Sequence, residues 1–333
     1  MVGPGRPVLA RAGRVVAGAV VCVLLTVGST ACGRTAPPPG SLAANGLSLA
    51  GQTYRVGGKN FPEQLVLCQI TLVAMRSLGA TAEDRCEIAS GAATRAALTP
   101  TEQIDVYWEY TATGATILAP LRTGRDPDAV FAAVRDADAA RNGVVWLRPA
   151  PFDDTYALAV SRPTAGRLGV RTVSDWARLV RSGSKEATTC VEPEFAERPD
   201  GLRGLLGTYG VSRSYDGPPE VSEVDAGVVY SALARGTPCT FGEVFSTDGR
   251  VRGRDLVLLT DDRGHFLPYN AAPTLRRDVL ERAPGLAGAL EDISSRLTDD
   301  VIRDLNAQVS VAGRDPTDVA TTWLVEQGLV GRG

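Results

Sequence analysis

At 333 residues, 44% hydrophobic and 22% charged, the chain has globular composition and enough length for two lobes of domain size or one large α/β body. Its net charge of -3 lacks the basic footprint of a nucleic-acid-binding protein. The single histidine, His265, argues against His-rich zinc sites and most His-dependent acid–base chemistry.

The N-terminus reads as a targeting segment. Arg6, Arg11 and Arg14 form a basic region ahead of an apolar run, Val15 to Val27, that is short for a bilayer span. The run enters "GSTACG", and this arrangement resembles a bacterial lipoprotein signal covering residues 1–31, with Cys32 as the lipidated first residue of the mature chain. Ser29 stands where a leucine is usual, so an ordinary secretory signal is the alternative. Residues 1–31 hold three arginines and no acids, so the mature chain carries net charge -6. Residues 32–50, rich in Pro, Gly, Ala and Ser, read as a tether holding a folded body off a membrane.

Export bears on the cysteines. Setting aside Cys22 and Cys32, four remain: Cys68, Cys86, Cys190 and Cys239. They allow three connectivities. In an oxidising compartment one pair in each half, Cys68–Cys86 and Cys190–Cys239, is the economical expectation; four buried thiols are the alternative.

From Gln52 onward short apolar strands alternate with amphipathic helices. "TYRVGG" reads as a strand, and "GGK" as a turn carrying Lys59. Phe61, Leu65, Cys68, Leu72 and Met75 then recur at helical spacing, with Asn60 as the expected cap and Gly79 as the stop. The strand-like stretches "QIDVYWEYT", "NGVVWLRP", "TYALAVS", "EATTCVEP" and "CTFGEVFS" follow, separated by helical "DPDAVFAAVRDADAARNG", "TVSDWARLVRSG" and "DAGVVYSALARG". From about Thr274 to Gln327 the pattern is almost wholly helical. The alternation predicts an α/β fold with largely parallel sheets. The pattern alone leaves Lys59 either as a solvated turn residue or as a fixed cation at the mouth of a ligand site.

Seven stretches decide between these: "VGGKNFPEQL", "IDVYWEYTATGA", "FDDTYALAV", "PEFAERPDGLRGLLGTYG", "VFSTDGR", "LVLLTDDRGHFLPYNAAP" and "LNAQV". In this order, over nearly the whole mature chain, they resemble the substrate-binding proteins of ABC importers for glycine betaine, choline, carnitine and related quaternary amines. The resemblance implies a two-lobe type II periplasmic-binding-protein fold with two crossing hinge segments and an inter-lobe ligand cleft. Residues 51–153 and 266–331 would form the first lobe and residues 154–265 the second.

A trimethylammonium group has no N–H and cannot be held by hydrogen bonds; aromatic faces recognise it, each contributing roughly 0.5–2 kcal/mol when desolvated. A betaine carboxylate calls instead for a cation and polar donors. The resemblance implies an aromatic cage of Tyr110, Tyr156, Tyr269 and Phe245, the last standing where the family has tyrosine. It implies polar contacts from Lys59, Gln64 and Thr113, with Arg198 clamping from the second lobe. Asp154 stands where the family often has Asn and would favour a cation. Trp108, on the same strand face as Tyr110, reads as core. The pairs Asp153–Asp154 and Asp261–Asp262 lack a companion His or Cys, so neither catalysis nor a metal site is expected.

The implied protein is no enzyme and needs no cofactor. It is a lipid-anchored, extracytoplasmic monomer whose partners are a small quaternary amine and an ABC permease, with no nucleic acid. An ergothioneine-like ligand, a ligand sensor, or an exported envelope enzyme using His265 are the alternatives.

Overall fold

The computed structural model describes residues 1, 3, 36–44, 46–88, 90–118, 125–197, 201–211 and 221–332; Cys32 and Arg198 lie outside the described residues. Ala36–Gly333 form one compact unit. No helix among the described residues is long and apolar enough to cross a membrane.

Ten strands run through these residues: β1 (Thr53–Lys59), β2 (Thr81–Ile88), β3 (Val106–Tyr110), β4 (Val144–Trp146), β5 (Tyr156–Ser161), β6 (Thr189–Val191), β7 (Val221–Glu223), β8 (Phe241–Phe245), β9 (Leu256–Leu258) and β10 (Ala271–Arg276). They form two five-stranded sheets, β2-β1-β3-β10-β4 and β7-β6-β8-β5-β9. The expected strands all form, and β2, β7, β9 and β10 are added; β10 runs to Arg276, so the stretch from Thr274, expected to be helical, opens as strand. The sequence hides β2 because its eight residues are mostly charged or polar and exposed, as befits the edge of a sheet.

The expectation of largely parallel sheets needs correction, since both are mixed. β1 runs parallel to β2 and β3, and β6 runs parallel to β7 and β8. β10 is antiparallel to β3 and β4, and β5 is antiparallel to β8 and β9. The reason is the chain path. β5 and β10 are the strands on which the chain arrives after crossing between sheets, through residues 147–155 and 259–270, and each is inserted between two strands of its new sheet.

These crossing segments are laced together. Tyr269 N–H donates to Asp153 Oδ1 at 2.6 Å, Asp154 N–H to Tyr269 O at 3.2 Å, and Thr155 Oγ1 to Leu267 O at 2.7 Å.

The helix Pro62–Ser77 lies against β1, β2 and the helices Asp299–Ser310 and Pro316–Glu326, so nearly its whole circumference is buried. Its start differs from expectation: Phe61, not Asn60, is the N-cap, without a side-chain cap bond. Pro62 decides this, because its fixed φ and missing N–H suit the first helical position. The Gly57-Gly58 pair lies within β1, not in a turn. A Cβ at Gly57 would fall 2.4 Å from Ile104 Cδ1, and one at Gly58 would fall 3.0 Å from Cys68 Cβ, so both glycines sit where the packing is tight. Elsewhere local rules suffice: Asp126 caps the helix Pro127–Asn142, which Gly143 ends at φ 65°.

Disulfides join Cys68 to Cys86 and Cys190 to Cys239, across sequence separations of 18 and 49 residues. The first pins the helix Pro62–Ser77 to β2, the second β6 to the entry of β8. Closing loops of these lengths removes chain entropy equivalent to about 3 and about 4 kcal/mol. Replacing each pair by alanine should therefore lower the unfolding free energy, with the larger loss for Cys190/Cys239; denaturant melts of the two double variants check the order, and equal or negligible losses would contradict it.

Candidate ligand-binding site

A cavity of about 550 Å³ lies between the sheets. Residues from six separate stretches reach it: Lys59, Phe61 and Glu63; Tyr110 and Thr113; Asp154 and Tyr156; Phe245 and Thr247; Tyr269; and Asn306. The placement follows from the fold, because β1, β3 and β8 end at this cavity and both crossing segments skirt it.

The four sequence-predicted rings all line it. Tyr156 and Phe245 are register partners across β5 and β8, with ring centroids 5.1 Å apart. Tyr269 meets Tyr156 edge-on at 6.1 Å. Tyr110 closes β3 from the other sheet, and Phe61, unforeseen in this role, stacks on it at 6.3 Å. Trp108 is core, its Nε1 donating to Thr71 Oγ1 at 2.9 Å.

Among the polar residues, Thr113 lines the cavity from the helix Thr111–Ile117. Lys59 lines it too, but not as an uncompensated cation. Its Nζ lies 2.6 Å from Glu109 Oε1, and both residues are buried, at 7% and 0% exposure. Glu109 alternates onto the opposite face of β3 from Tyr110, which is why the sequence read Lys59 without its partner. Glu109 also accepts Tyr107 Oη at 2.7 Å and the N–H of Tyr110 at 2.9 Å. Lys59 Nζ stands 4.8 Å from the Tyr110 ring centre.

The expectation for Gln64 needs correction. Its Oε1 accepts the N–H of Lys59 at 3.3 Å and its Nε2 donates to Trp108 O at 3.1 Å. With 1% exposure it fastens the end of β1 to β3 instead of facing the cavity.

Sequence reasoning missed the cavity's most buried acid. Glu63, 3% exposed, sits one residue into its helix, where an acid reads as ordinary N-terminal charge. It accepts Tyr110 Oη at 2.8 Å on Oε1, and both Thr247 Oγ1 at 2.6 Å and Asn306 Nδ2 at 2.9 Å on Oε2. Burial pushes its carboxyl up, and these three donors hold it back. Asp154 is pushed well above the carboxylate range by burial and then by Glu63. Burial also drives the Tyr110 phenol far up, so it stays a neutral donor. The STDGR stretch leads into the short helix Gly249–Gly253, capped by Asp248. Asp248 pairs with Arg250 at 2.6 Å, and Arg250 stacks 3.9 Å over the Tyr230 ring.

One group of three potential metal ligands exists among the described residues, Cys68, Asp84 and Cys86, and its two sulfurs are already bonded to one another. His265, in the crossing segment 259–270, is buried with Nδ1 3.0 Å from Thr208 Oγ1 and does not line the cavity.

Two mixed α/β sheets, linked by two crossing segments around one cavity, define a type II periplasmic-binding-protein fold. Residues 52–326 match the family described as the substrate binding domain of ABC-type glycine betaine transport systems, and the chain belongs to that family. It is a substrate-binding protein, not an enzyme. A glycine-betaine-binding protein of Pseudomonas aeruginosa is 35% identical over 301 residues, 88% of this chain and 94% of the relative. The glycine betaine-binding protein YehZ of Escherichia coli is 28% identical over 291 residues, 86% of this chain and 95% of YehZ. The apo YehZ structure superposes with a TM-score of 0.73 at 27% identity, covering 84% of this chain and 100% of that one.

Asp153 supplies a test of the site's electrostatics. Burial raises its carboxyl from 3.8 to about 6, against the pull of the Tyr269 N–H, with Asp299 adding to the rise. A carboxyl that binds its proton more tightly when folded favours the folded state at low pH and loses that contribution as pH climbs through about 6. Asp153→Asn retains an acceptor for Tyr269 N–H without the ionisation penalty. Its melting temperature should exceed wild type by on the order of 2–4 °C at pH 7.5 and match it near pH 4; a difference that does not change with pH would refute the burial argument.

Proposed function

We propose that this protein captures a quaternary amine of the glycine betaine, choline or carnitine type in an aromatic cage and hands it to an ABC permease. On this reading Tyr110, Tyr156, Phe245 and Tyr269 enclose the methylated nitrogen, and closure of the lobes presents the loaded form to the transporter. The observation that carries the reading is the convergence of these four rings, from four separated segments, on one cavity.

Within the class, the described lining favours a cationic head. Lys59 is answered by Glu109 and Arg250 by Asp248, whereas Glu63 and Asp154 form no ion pair among the described residues. Replacing tyrosine by phenylalanine at 245 keeps the π face and drops a hydroxyl, so the cage is retained with a less polar rim. Arg198 remains the candidate for an anionic end.

Calorimetry of the protein with glycine betaine, choline, carnitine, proline betaine and ergothioneine tests the proposal. At least one should bind, and Tyr156→Ala should weaken it by on the order of tenfold, the loss of one desolvated cation–π wall. Binding of none, or unchanged affinity in Tyr156→Ala, would end the cage assignment.

The same proposal holds the protein outside the cytoplasmic membrane through a lipid on Cys32. Cys32→Ser in the full chain should move the protein from the membrane fraction to the soluble extracytoplasmic fraction; a variant still in the membrane fraction would refute the anchor.

A further inference from the structure

Thr247 Oγ1 lies 2.6 Å from Glu63 Oε2 and 2.5 Å from Asp154 Oδ1. A hydroxyl owns one proton and can donate to one of these carboxyls only. Contact with the other at this distance is favourable only if that second carboxyl carries a proton and donates it to the hydroxyl oxygen. The donors identify which one. Glu63 already receives Tyr110 Oη and Asn306 Nδ2 besides Thr247, the equipment of an ionised carboxylate. Among the described residues, Asp154 Oδ1 has only Thr247 as a side-chain hydrogen-bond partner. The direction that satisfies every atom runs from the Asp154 carboxyl to Thr247 Oγ1, and from Thr247 Oγ1–H to Glu63.

We propose that Asp154 is the proton-carrying end of this carboxyl–hydroxyl–carboxylate relay, and that it gives up its proton when a permanently cationic ligand occupies the cavity. The proposal rests on the quaternary-amine reading and deepens it: Asp154 becomes a proton-dependent selector between cationic and zwitterionic ligands. The O–H bond of the Asp154 carboxyl breaks and the proton passes to water. The ligand nitrogen, having no lone pair and no N–H, neither takes nor supplies one.

The surroundings single out this pair. Sharing the cavity with Asp154 are Glu63 from the helix Pro62–Ser77, Tyr110 from β3, and Lys59 from the end of β1, whose charge Glu109 answers. Thr247 and the Asp248–Arg250 pair face it from the turn after β8, Tyr156 and Tyr269 from the cage, and Asn306 from the helix Asp299–Ser310. On its far side Asp153 is engaged by Tyr269 N–H, with Asp299 and Arg303 beyond. Burial and the negative charge of Glu63 both favour the protonated state of Asp154 in the empty cavity. An arriving cation reverses that preference, and glycine betaine, whose own carboxylate offsets its ammonium, reverses it less.

The sign follows from linkage. The cation binds the deprotonated form better, so affinity rises with pH between the Asp154 pKa of the loaded and empty states, by at most tenfold per pH unit for one proton released. Choline and glycine betaine are titrated calorimetrically from about pH 5 to about pH 8.5, in buffers of different ionisation enthalpy, into wild type, Asp154→Asn and Asp153→Asn. In wild type the choline affinity should rise with pH, with up to one proton released, and glycine betaine should show a shallower slope. Asp154→Asn, which preserves the donor to Thr247 but cannot ionise, should abolish the difference in slope and weaken choline at high pH. Asp153→Asn should retain that difference. Infrared spectra of the ligand-free protein at about pH 8, above the titration of Asp153, should show a protonated-carboxyl band that disappears in Asp154→Asn.

A choline slope that survives Asp154→Asn, a buffer-independent heat in wild type, or absence of the infrared band would overturn the relay. If choline, glycine betaine, carnitine, proline betaine and ergothioneine all fail to bind wild type at any pH while the band is present, the quaternary-amine reading fails together with the ligand-triggered discharge, and the stored proton alone stands.

Discussion

The buried carboxylate of Glu63 is the constraint on which the rest of this site depends. A carboxyl this deep is tolerated only when its oxygens find partners, because a buried polar group left unpaired costs about 1–3 kcal/mol. Its donors come from β3 (Tyr110), from the turn after β8 (Thr247) and from the helix Asp299–Ser310 (Asn306), at sequence separations of 47, 184 and 243 residues. Satisfying one acid thus ties one sheet to the other and orients the phenol of Tyr110 at the cavity wall. Asn306 also donates to Thr247 O at 2.9 Å, so the turn that carries Thr247 is held by backbone and side chain together.

That turn reaches Asn306 only because position 249 is glycine. A Cβ there would lie 2.2 Å from Ala307 N, a backbone atom that cannot step aside. Packing of the short helix Gly249–Gly253 on the helix Asp299–Ser310 is therefore a steric condition for the polar network, and the network in turn sets the geometry of the cavity. The crossing segments complete the arrangement. Asp153, Asp154 and Tyr269 hold one another through backbone hydrogen bonds, placing Tyr156 and Tyr269 at a fixed spacing as the chain enters β5 and leaves for β10. A binding protein that closes around its ligand gains from such a hinge, since the rings move as one wall.

Much of this was legible in the chain. Alternating strands and helices announced the α/β class, and the motifs around Tyr110, Tyr156, Phe245 and Tyr269 named the four rings that meet in space. What escaped detection shared one cause. Glu63 gives no signal of its own in the sequence, and Gln64 and Lys59 read as a cleft amide and an unanswered cleft cation, because each owes its role to a partner far away in sequence. Lys59 and Glu109 are 50 residues apart, and Gln64 and Trp108 are 44 apart. Mixed strand direction was hidden for a related reason: whether β5 and β10 run with or against their neighbours depends on where the chain crosses, which no local periodicity records.

The amino-acid order by itself determined the aromatic inventory, the helix starts that proline and capping acids impose, and the family of the chain, since these are properties of short segments read one at a time. Tertiary structure alone decided which charges are answered and which are not. Electrostatic compensation is a matter of a few ångströms between groups that the chain keeps dozens or hundreds of residues apart, so the matched Lys59 and the two carboxyls that meet at Thr247 become visible only once the sheets have folded around one cavity.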